Sequence, residues 1–347
     1  MKYRKLGSTD LDVSLICLGT MTYGEQNTEA EGHEQLDYAL DQGINFFDMA
    51  ELYAIPPKAD TQGRTEEIVG TWLAARKNRD KVVIATKVVG RSQMGWFRPW
   101  EGRTRLDRKN IEYAVDQSLK RLQTDYIDLY QLHWPDRPIP LFGGLAYTHK
   151  ESRDEVAPEE TLEVLADLVK AGKIRHVGLS NETPWGVSKF LQASETKNLP
   201  RVQSVQNAFN LINRTFEEGL SEFYHRDKVG LLAYSPLGQG FLTGKYLNGA
   251  LPEGSRKALF QRQQRYESPQ TDAAIEKYVA LAKKHGLDPA QMALAFVNSR
   301  PYTTATIIGA TTMAQLRNNI ASIDLELSEE VLKEIDRIHL ESPNPAP

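Results

Sequence analysis

Residues 43–53 read GINFFDMAELY, residues 81–87 read KVVIATK and residues 126–133 read YIDLYQLH. Each is a short apolar run that closes on a polar or charged side chain, the pattern of a buried strand with a functional end. Similar runs begin near Leu15 (LICLG), Arg175 (RHVGLS), Val202 (VQSVQN), Gly230 (GLLAY) and Ala305 (ATIIGA), making eight in all. Between them lie amphipathic stretches, with helices expected over 31–42, 65–77, 107–123, 159–171, 184–197 and 213–225. Gly43 and Gly172 stand where the left-handed residue after a helix belongs, each just ahead of a strand. Eight strand–helix units predict a parallel sheet closed into a (β/α)8 (TIM) barrel. An open doubly wound sheet is disfavoured because no strand leads into a glycine-rich dinucleotide turn.

No Pro/Ser/Gly linker divides the 347 residues, so a single barrel domain is expected over 1–347. MKYRKLGSTDLDVSLI reads as a hairpin ahead of the barrel, and 289–299 and 328–340 read as helices beyond the eight. Pro343, Pro345 and Pro347 make 342–347 a tail that is not helical. Three connections, 88–106, 134–158 and 235–272, far exceed the usual roughly two to six residues. All three follow strands, which places them as long loops at the C-terminal face, where barrel active sites lie. The first carries Trp96, Phe97 and Trp100 beside Arg91 and Arg98. That mixture suits either a grip on an apolar or anionic substrate or a loop anchored by its own aromatics.

With 42 Lys+Arg against 46 Asp+Glu, the net charge of −4 offers no basic surplus for nucleic acid or for anionic membranes. The opening MKYRKLGSTD has no apolar run behind its basic residues, so no signal peptide is expected, and no stretch of about 18 apolar residues is present to span a bilayer. The single cysteine, Cys17, lies in the apolar LICLG and reads as a buried structural thiol in a reducing, cytoplasmic setting. Nothing in the sequence marks a self-complementary patch, so oligomeric state stays open.

Alternation puts Asp48 in the row of Ile44 and Phe46, Lys87 in the row of Val83 and Ala85, and His133 in the row of Leu129 and Gln131. Singly, each has an ordinary structural reading: a capping Asp, a snorkelling Lys, a satisfied core His. Jointly, the ends of the second, third and fourth strands converge at one mouth, with Tyr53 five residues beyond Asp48. Asp48 would keep Lys87 charged, and Lys87 would bring the pKa of Tyr53 down from about 10 toward neutrality. His133 would polarise a carbonyl oxygen. The set delivers a proton to an oxygen but contains no hydride source, so a nicotinamide cofactor must bring one.

These four positions resemble the catalytic tetrad of the aldo-keto reductases, and the likeness runs from KLGSTDLDVSLICLGTMTYG to about residue 325. Within that family the chain is most similar to the bacterial Tas-like and potassium-channel β-subunit branches. The resemblance implies that Ser180 and Asn181 (GLSN) and Gln206 (VQN) hydrogen-bond a nicotinamide carboxamide. In AYSPLGQGFLTGKY it implies that Tyr234 stacks on the nicotinamide and that Ser235, Leu237 and Gly240 wrap the pyrophosphate. In IIGATTMAQLRNN it assigns Gly309, Thr311, Gln315 and Asn319 to the adenosine-phosphate end. The common family pattern has Arg where Gln315 stands and Glu where Asn318 stands, so charge for a 2′-phosphate would come from Lys245 and Arg256. NADPH/NADP+ is expected over NADH, and no metal.

The function implied is NADPH-dependent reduction of an aldehyde or ketone, a small-molecule carbonyl substrate, with Tyr53 as general acid. The principal alternative is an NADP(H)-binding redox-sensing module like the channel β subunits. A lyase using Lys87 as a Schiff-base nucleophile is a further one, opposed by Asp48, which keeps the amine protonated. GQGFLTGK is no phosphate-binding P-loop, since its glycine spacing is wrong and Tyr246 fills the hydroxyl position.

Overall fold

In the computed structural model, which describes residues 1–100, 102–144, 146–152, 154–260 and 265–346, the chain opens with two short strands. These are β1 (Tyr3–Lys5) and β2 (Asp12–Ser14), paired antiparallel as the expected hairpin. Eight more follow: β3 (Ile16–Gly19), β4 (Phe46–Asp48), β5 (Val83–Val88), β6 (Ile127–Leu132), β7 (Ile174–Ser180), β8 (Val202–Ala208), β9 (Gly230–Tyr234) and β10 (Thr303–Ile308). Each pairs in parallel with the next and β10 returns to β3, which closes the expected barrel.

The period-two pattern of the sequence is what sorts the core. Cys17, Phe46, Val83, Ala85, Leu129, Leu232 and Ala305 point inward and form one buried cluster with Leu6 and Val13 of the hairpin. Their neighbours Ile16, Phe47, Ile84 and Tyr130 point outward into the layer shared with the helices. The hairpin thus plugs the N-terminal end. There Gly7, at φ +60, packs so closely that a Cβ would stand 2.4 Å from Gln203. The opposite, C-terminal end is left to the long connections.

The helices around the sheet are Glu29–Asp41, Arg64–Arg76, Arg108–Leu122, Pro158–Lys170, Pro184–Lys197, Ser221–Asp227, Pro289–Ser299 and Met313–Ala321. Their ends obey local chemistry. Thr28 and Glu31 form a capping box, Asp107 and Thr183 cap their helices, and Gly43 (φ +83) and Gly172 (φ +73) follow helix ends as expected.

Two expectations fail here. The helix expected over 213–225 is instead a 3-10 turn, Thr215–Glu217, and a short helix, Ser221–Asp227, separated by Gly219 at φ +88. The helix Pro289–Ser299, expected to lie beyond the eight, packs on β10. It is buried on nearly all sides because Pro269–Lys284 lies over it. Pro269–Lys284 is the true addition, paired with Glu329–Glu341; the sequence reading names no helix there and gives 269–272 to a loop. The tail is non-helical over 342–346 and docked: Ala346 N–H donates to the Ile212 carbonyl (3.2 Å), and Asn344 Oδ1 accepts from Arg214 N–H (2.6 Å). Pro347 lies outside the described residues. Among the described residues, no helix is long and apolar enough to cross a membrane.

Candidate active site

The parallel register sets Asp48 beside Ala85 and Lys87 beside Gln131, so the polar ends of β4, β5 and β6 meet at the C-terminal mouth. Lys87 is fully buried, and its Nζ donates to Asp48 Oδ2 (2.6 Å) and to the Met49 carbonyl (2.7 Å). The other carboxylate oxygen, Asp48 Oδ1, accepts from Gln131 Nε2 (3.1 Å) and Gln206 Nε2 (2.8 Å). A buried carboxylate is tolerable only with such partners. Tyr53 reaches this group from the loop after β4. Its ring centroid is 4.9 Å from Lys87 Nζ and 5.7 Å from the His133 ring, which it meets edge-on. The four residues singled out in the sequence are therefore neighbours.

Electrostatics correct one part of the sequence reading. Burial pushes the Tyr53 phenol above its ordinary pKa, and the opposing pull of Lys87 does not overcome it, so the phenol holds its proton at neutral pH. For Lys87, burial works against the charge, but Asp48 and Tyr53 outweigh it and the ammonium is held above the ordinary lysine range. Burial first, and the Lys87 charge second, hold the His133 imidazole well below 6.5, so the ring is neutral; its Nδ1 is buried without a partner. Cys17, behind Asp48 in the barrel, is fully buried and its thiol is pushed well up by that burial.

The neighbouring rim holds the next group of sequence candidates. Ser180 lies beside Gln206 in the register, and Tyr234 beside Ala208. Ser180 Oγ donates to the Gln206 carbonyl (2.8 Å), and Asn181 Nδ2 donates to the His133 carbonyl (2.9 Å). The Tyr234 hydroxyl donates to Asn181 Oδ1 (2.8 Å) and accepts from Arg265 Nη1 (3.3 Å). Ser235 (φ +52) and Gly240 (φ +92) turn the backbone through the left-handed region on either side of the partly buried Leu237, and Asn210 Nδ2 holds the Ser235 carbonyl (2.9 Å). Lys245 Nζ lies 3.0 Å from where a Cβ on Gly240 would stand. Arg256 opens a short helix, Arg256–Phe260, near enough for its charge to act on Tyr53.

On β10's side, Gly309 is exposed with nothing within 4 Å of a would-be Cβ, just before the helix capped by Thr312. Gln315 Oε1 accepts from Thr311 N–H (2.9 Å), and Asn319 Nδ2 donates to the Gly309 carbonyl (3.1 Å), so these four candidates are bonded in two pairs between the end of β10 and the helix after it.

The two arginines named in the first long connection, Arg91 and Arg98, are both committed to carboxylates. Arg98 is sealed against Glu51, and Arg91 pairs with Asp136 and, at 3.0 Å, with Asp154. Trp100 meets Tyr113 edge-on at 5.3 Å and Phe97 is buried, which leaves Trp96 as the exposed aromatic of this loop. This connection is anchored by its own side chains. What it lends the mouth is an apolar wall: Phe97 packs with Leu52, Val89 and Trp134, against which Tyr53, Met94 and Leu141 lie.

Sequence reasoning missed Glu51, Arg265 and Gln131 as parts of this architecture. Gln131 carried a signal, being a lone amide in the row of Leu129 that faces the barrel interior.

Comparison with known proteins bears on what this mouth does. The profile described as "Aldo/keto reductase family" matches residues 15–340. The chain belongs to the aldo/keto reductase family. It is 52% identical over 349 residues to "Protein tas" of Escherichia coli (strain K12), covering 100% of both chains. It is 31% identical over 346 residues to an Arabidopsis thaliana protein named "Probable voltage-gated potassium channel subunit beta", covering 97% of this chain and 96% of the other. It is also 31% identical over 349 residues to the "L-glyceraldehyde 3-phosphate reductase" of Escherichia coli (strain K12), covering 97% and 92%. For this aldo/keto reductase the matches support a general oxidoreductase role.

Proposed function

We propose that this aldo/keto reductase reduces aldehydes or ketones to alcohols with NADPH, Tyr53 serving as general acid. The observation that carries the proposal is the packing of a phenol, a lysine and an imidazole at one buried carboxylate. Lys87 Nζ is 2.6 Å from Asp48 and 4.9 Å from the Tyr53 ring, and Tyr53 is 5.7 Å from His133. A bound NADPH supplies the hydride that no side chain here can provide.

The residues present fit such a dinucleotide. The bare Gly309 and the capped helix start at Thr312 suit a phosphate. The left-handed turns at Ser235 and Gly240 fold the backbone on either side of Leu237 into a loop that would wrap a pyrophosphate. Tyr234 would flank the nicotinamide, with Ser180, Asn181 and Gln206 at its carboxamide. Thr311, Gln315 and Asn319 would hold the adenosine end, and Lys245 and Arg256 would add the charge that favours NADPH over NADH.

Within the mouth, neutral His133 orients the substrate carbonyl oxygen beside Tyr53. As that oxygen gains negative charge it takes the Tyr53 proton. The phenolate left behind is stabilised by the Lys87 ammonium, which Asp48 holds charged and in place. Asp48 itself has both oxygens committed and acts through Lys87.

The likeness to a protein named as a channel β subunit supports a second reading, a redox-sensing module built on the same site. One experiment separates the two: NADPH oxidation followed by absorbance over a panel of aldehydes, ketones and quinones, wild type beside Tyr53→Phe. Turnover that falls at least about a hundredfold in the variant, with cofactor affinity kept, is the expected result. Binding without turnover in the wild type would favour the sensor, and absence of NADPH binding would overturn both.

A further inference from the structure

We infer that Gln131 is a positioning residue: it fixes the orientation of the Gln206 amide, so that Gln206 presents to the rim a hydrogen-bond acceptor and no donor. This deepens the proposed function and rests on it, since the ligand that would meet Gln206 is the carboxamide of a nicotinamide.

Asp48 sets the orientation of both amides. A carboxylate paired with Lys87 only accepts hydrogen bonds, and its Oδ2 is taken by that lysine at 2.6 Å. Its Oδ1 faces two amides, Gln131 at 3.1 Å and Gln206 at 2.8 Å. Both must therefore turn nitrogen, not oxygen, toward it; the opposite turn of either would set a carbonyl against the carboxylate. The turn of Gln131 leaves its Oε1 to accept the second N–H of Gln206, at 3.0 Å. Both hydrogens of Gln206 Nε2 are then used inside the barrel. What remains is Gln206 Oε1, which is not among the sealed, partnerless atoms of the interior.

Gln131 is fully buried on the inward face of β6, in the row of Leu129. A buried amide there costs stability unless it is bonded, and this one is bonded at both ends, to Asp48 and to Gln206. An apolar residue at 131 would release one hydrogen of Gln206. Asp48 would still hold the nitrogen through the other hydrogen, but the amide could swing on that single bond and offer the freed N–H, beside its oxygen, to a ligand. The chemistry selected by the intact network is a ligand N–H, such as the NH2 of a primary carboxamide.

The test compares NADP+ with its 3-acetylpyridine analogue, which keeps the carbonyl but lacks the amide N–H, by equilibrium dialysis. It needs no turnover. Wild type should bind NADP+ about tenfold more tightly than the analogue, the weight of one good hydrogen bond. In Gln131→Met, which is close in size and makes neither bond, the ratio should fall to about twofold or less. In Gln131→Glu, whose carboxyl takes a proton beside Asp48, donates it to Oδ1 and still offers Gln206 an acceptor, it should stay near the wild-type value. Simple structural damage would weaken both ligands alike and leave the ratio unchanged. An unchanged ratio in Gln131→Met, or equal binding of both ligands by wild type, overturns the role of Gln131 while leaving the reductase reading intact. Failure of wild type to bind either dinucleotide overturns the cofactor reading and this inference with it.

Discussion

Arg98 and Glu51 form a two-pronged ion pair, Nη1 to Oε2 at 2.9 Å and Nη2 to Oε1 at 3.0 Å, with both side chains only 2% exposed. Glu51 Oε1 also accepts from the Val89 N–H (2.8 Å), and Arg98 Nε donates to Asn110 Oδ1 (3.0 Å). The pair ties the first long connection to the segment between Asp48 and Tyr53, so the backbone that presents the phenol is braced from the side. Losing one partner strands the other charge in the interior. Arg98→Met should destabilise the fold by about 3–5 kcal/mol, and the double variant Arg98→Met with Glu51→Leu should recover a large part of it. Urea unfolding of the single and double variants checks this; a double variant no better than the single would sink the account.

His133 makes stability depend on pH in a direction set by its environment. In the unfolded chain it titrates near 6.5, whereas in the fold burial and then the Lys87 charge hold it well below. The unfolded state therefore binds more protons between those two values. The contribution of His133 is fully present above pH 6.5 and is lost as pH falls below it, by at most about 1.4 kcal/mol per pH unit. His133→Gln lacks this titration, so the stability gap between wild type and variant should shift in the variant's favour on going from about pH 7 to about pH 5.5. Denaturant titrations of both proteins at the two pH values decide; a gap that stays constant would mean that the folded His133 is not held neutral.

Cys17 should be chemically silent. Its thiol is fully buried, burial raises its pKa, Asp48 adds to that rise and Lys87 only partly opposes it. A thiolate is needed for reaction, so a thiol-specific chromogenic reagent at about pH 8 should find none in the folded protein. After unfolding it should find one per chain, the single cysteine of the sequence. Rapid labelling of the native state would show that the barrel interior opens.

The barrel was legible because its information is local. Eight runs with inward rows such as Val83 and Ala85 are visible in a window of a few residues, and so are polar strand ends such as Asp48 and Lys87. Several of the remaining features depend on contacts between distant residues. The sequence leaves Arg98 open between a substrate grip and a loop anchor because its partner, Glu51, lies 47 residues away. Pro269–Lys284 lay partly hidden in a loop because Ser268, its N-cap, follows a stretch with no apolar period. The Tyr53 pKa was placed too low because the charge of Lys87 can be read from sequence, whereas the burial that outweighs it cannot. Gln131 was seen only as part of the row of His133, since the two partners of its amide, Asp48 and Gln206, come from other strands.

Selection of NADPH over NADH should rest on Lys245 rather than on Gln315. Gln315 turns its Oε1 inward to the N–H (2.9 Å) and hydroxyl (3.1 Å) of Thr311, which leaves a neutral amide nitrogen as what it can offer an anion. A neutral donor adds little preference for the extra phosphate, whereas a charge-assisted bond from an ammonium is about twice as strong. Lys245 is the lysine proposed for that charge, its Nζ 5.2 Å from the Tyr246 ring. Lys245→Met should therefore weaken NADPH binding about tenfold at low salt while changing NADH binding about twofold or less. Gln315→Met should lower the two affinities by similar factors. Dissociation constants for both dinucleotides, measured by quenching of protein fluorescence at two ionic strengths, carry the comparison. If Lys245→Met leaves the NADPH-to-NADH ratio unchanged, the 2′-phosphate is held elsewhere, and the charge of Arg256 becomes the group to remove next.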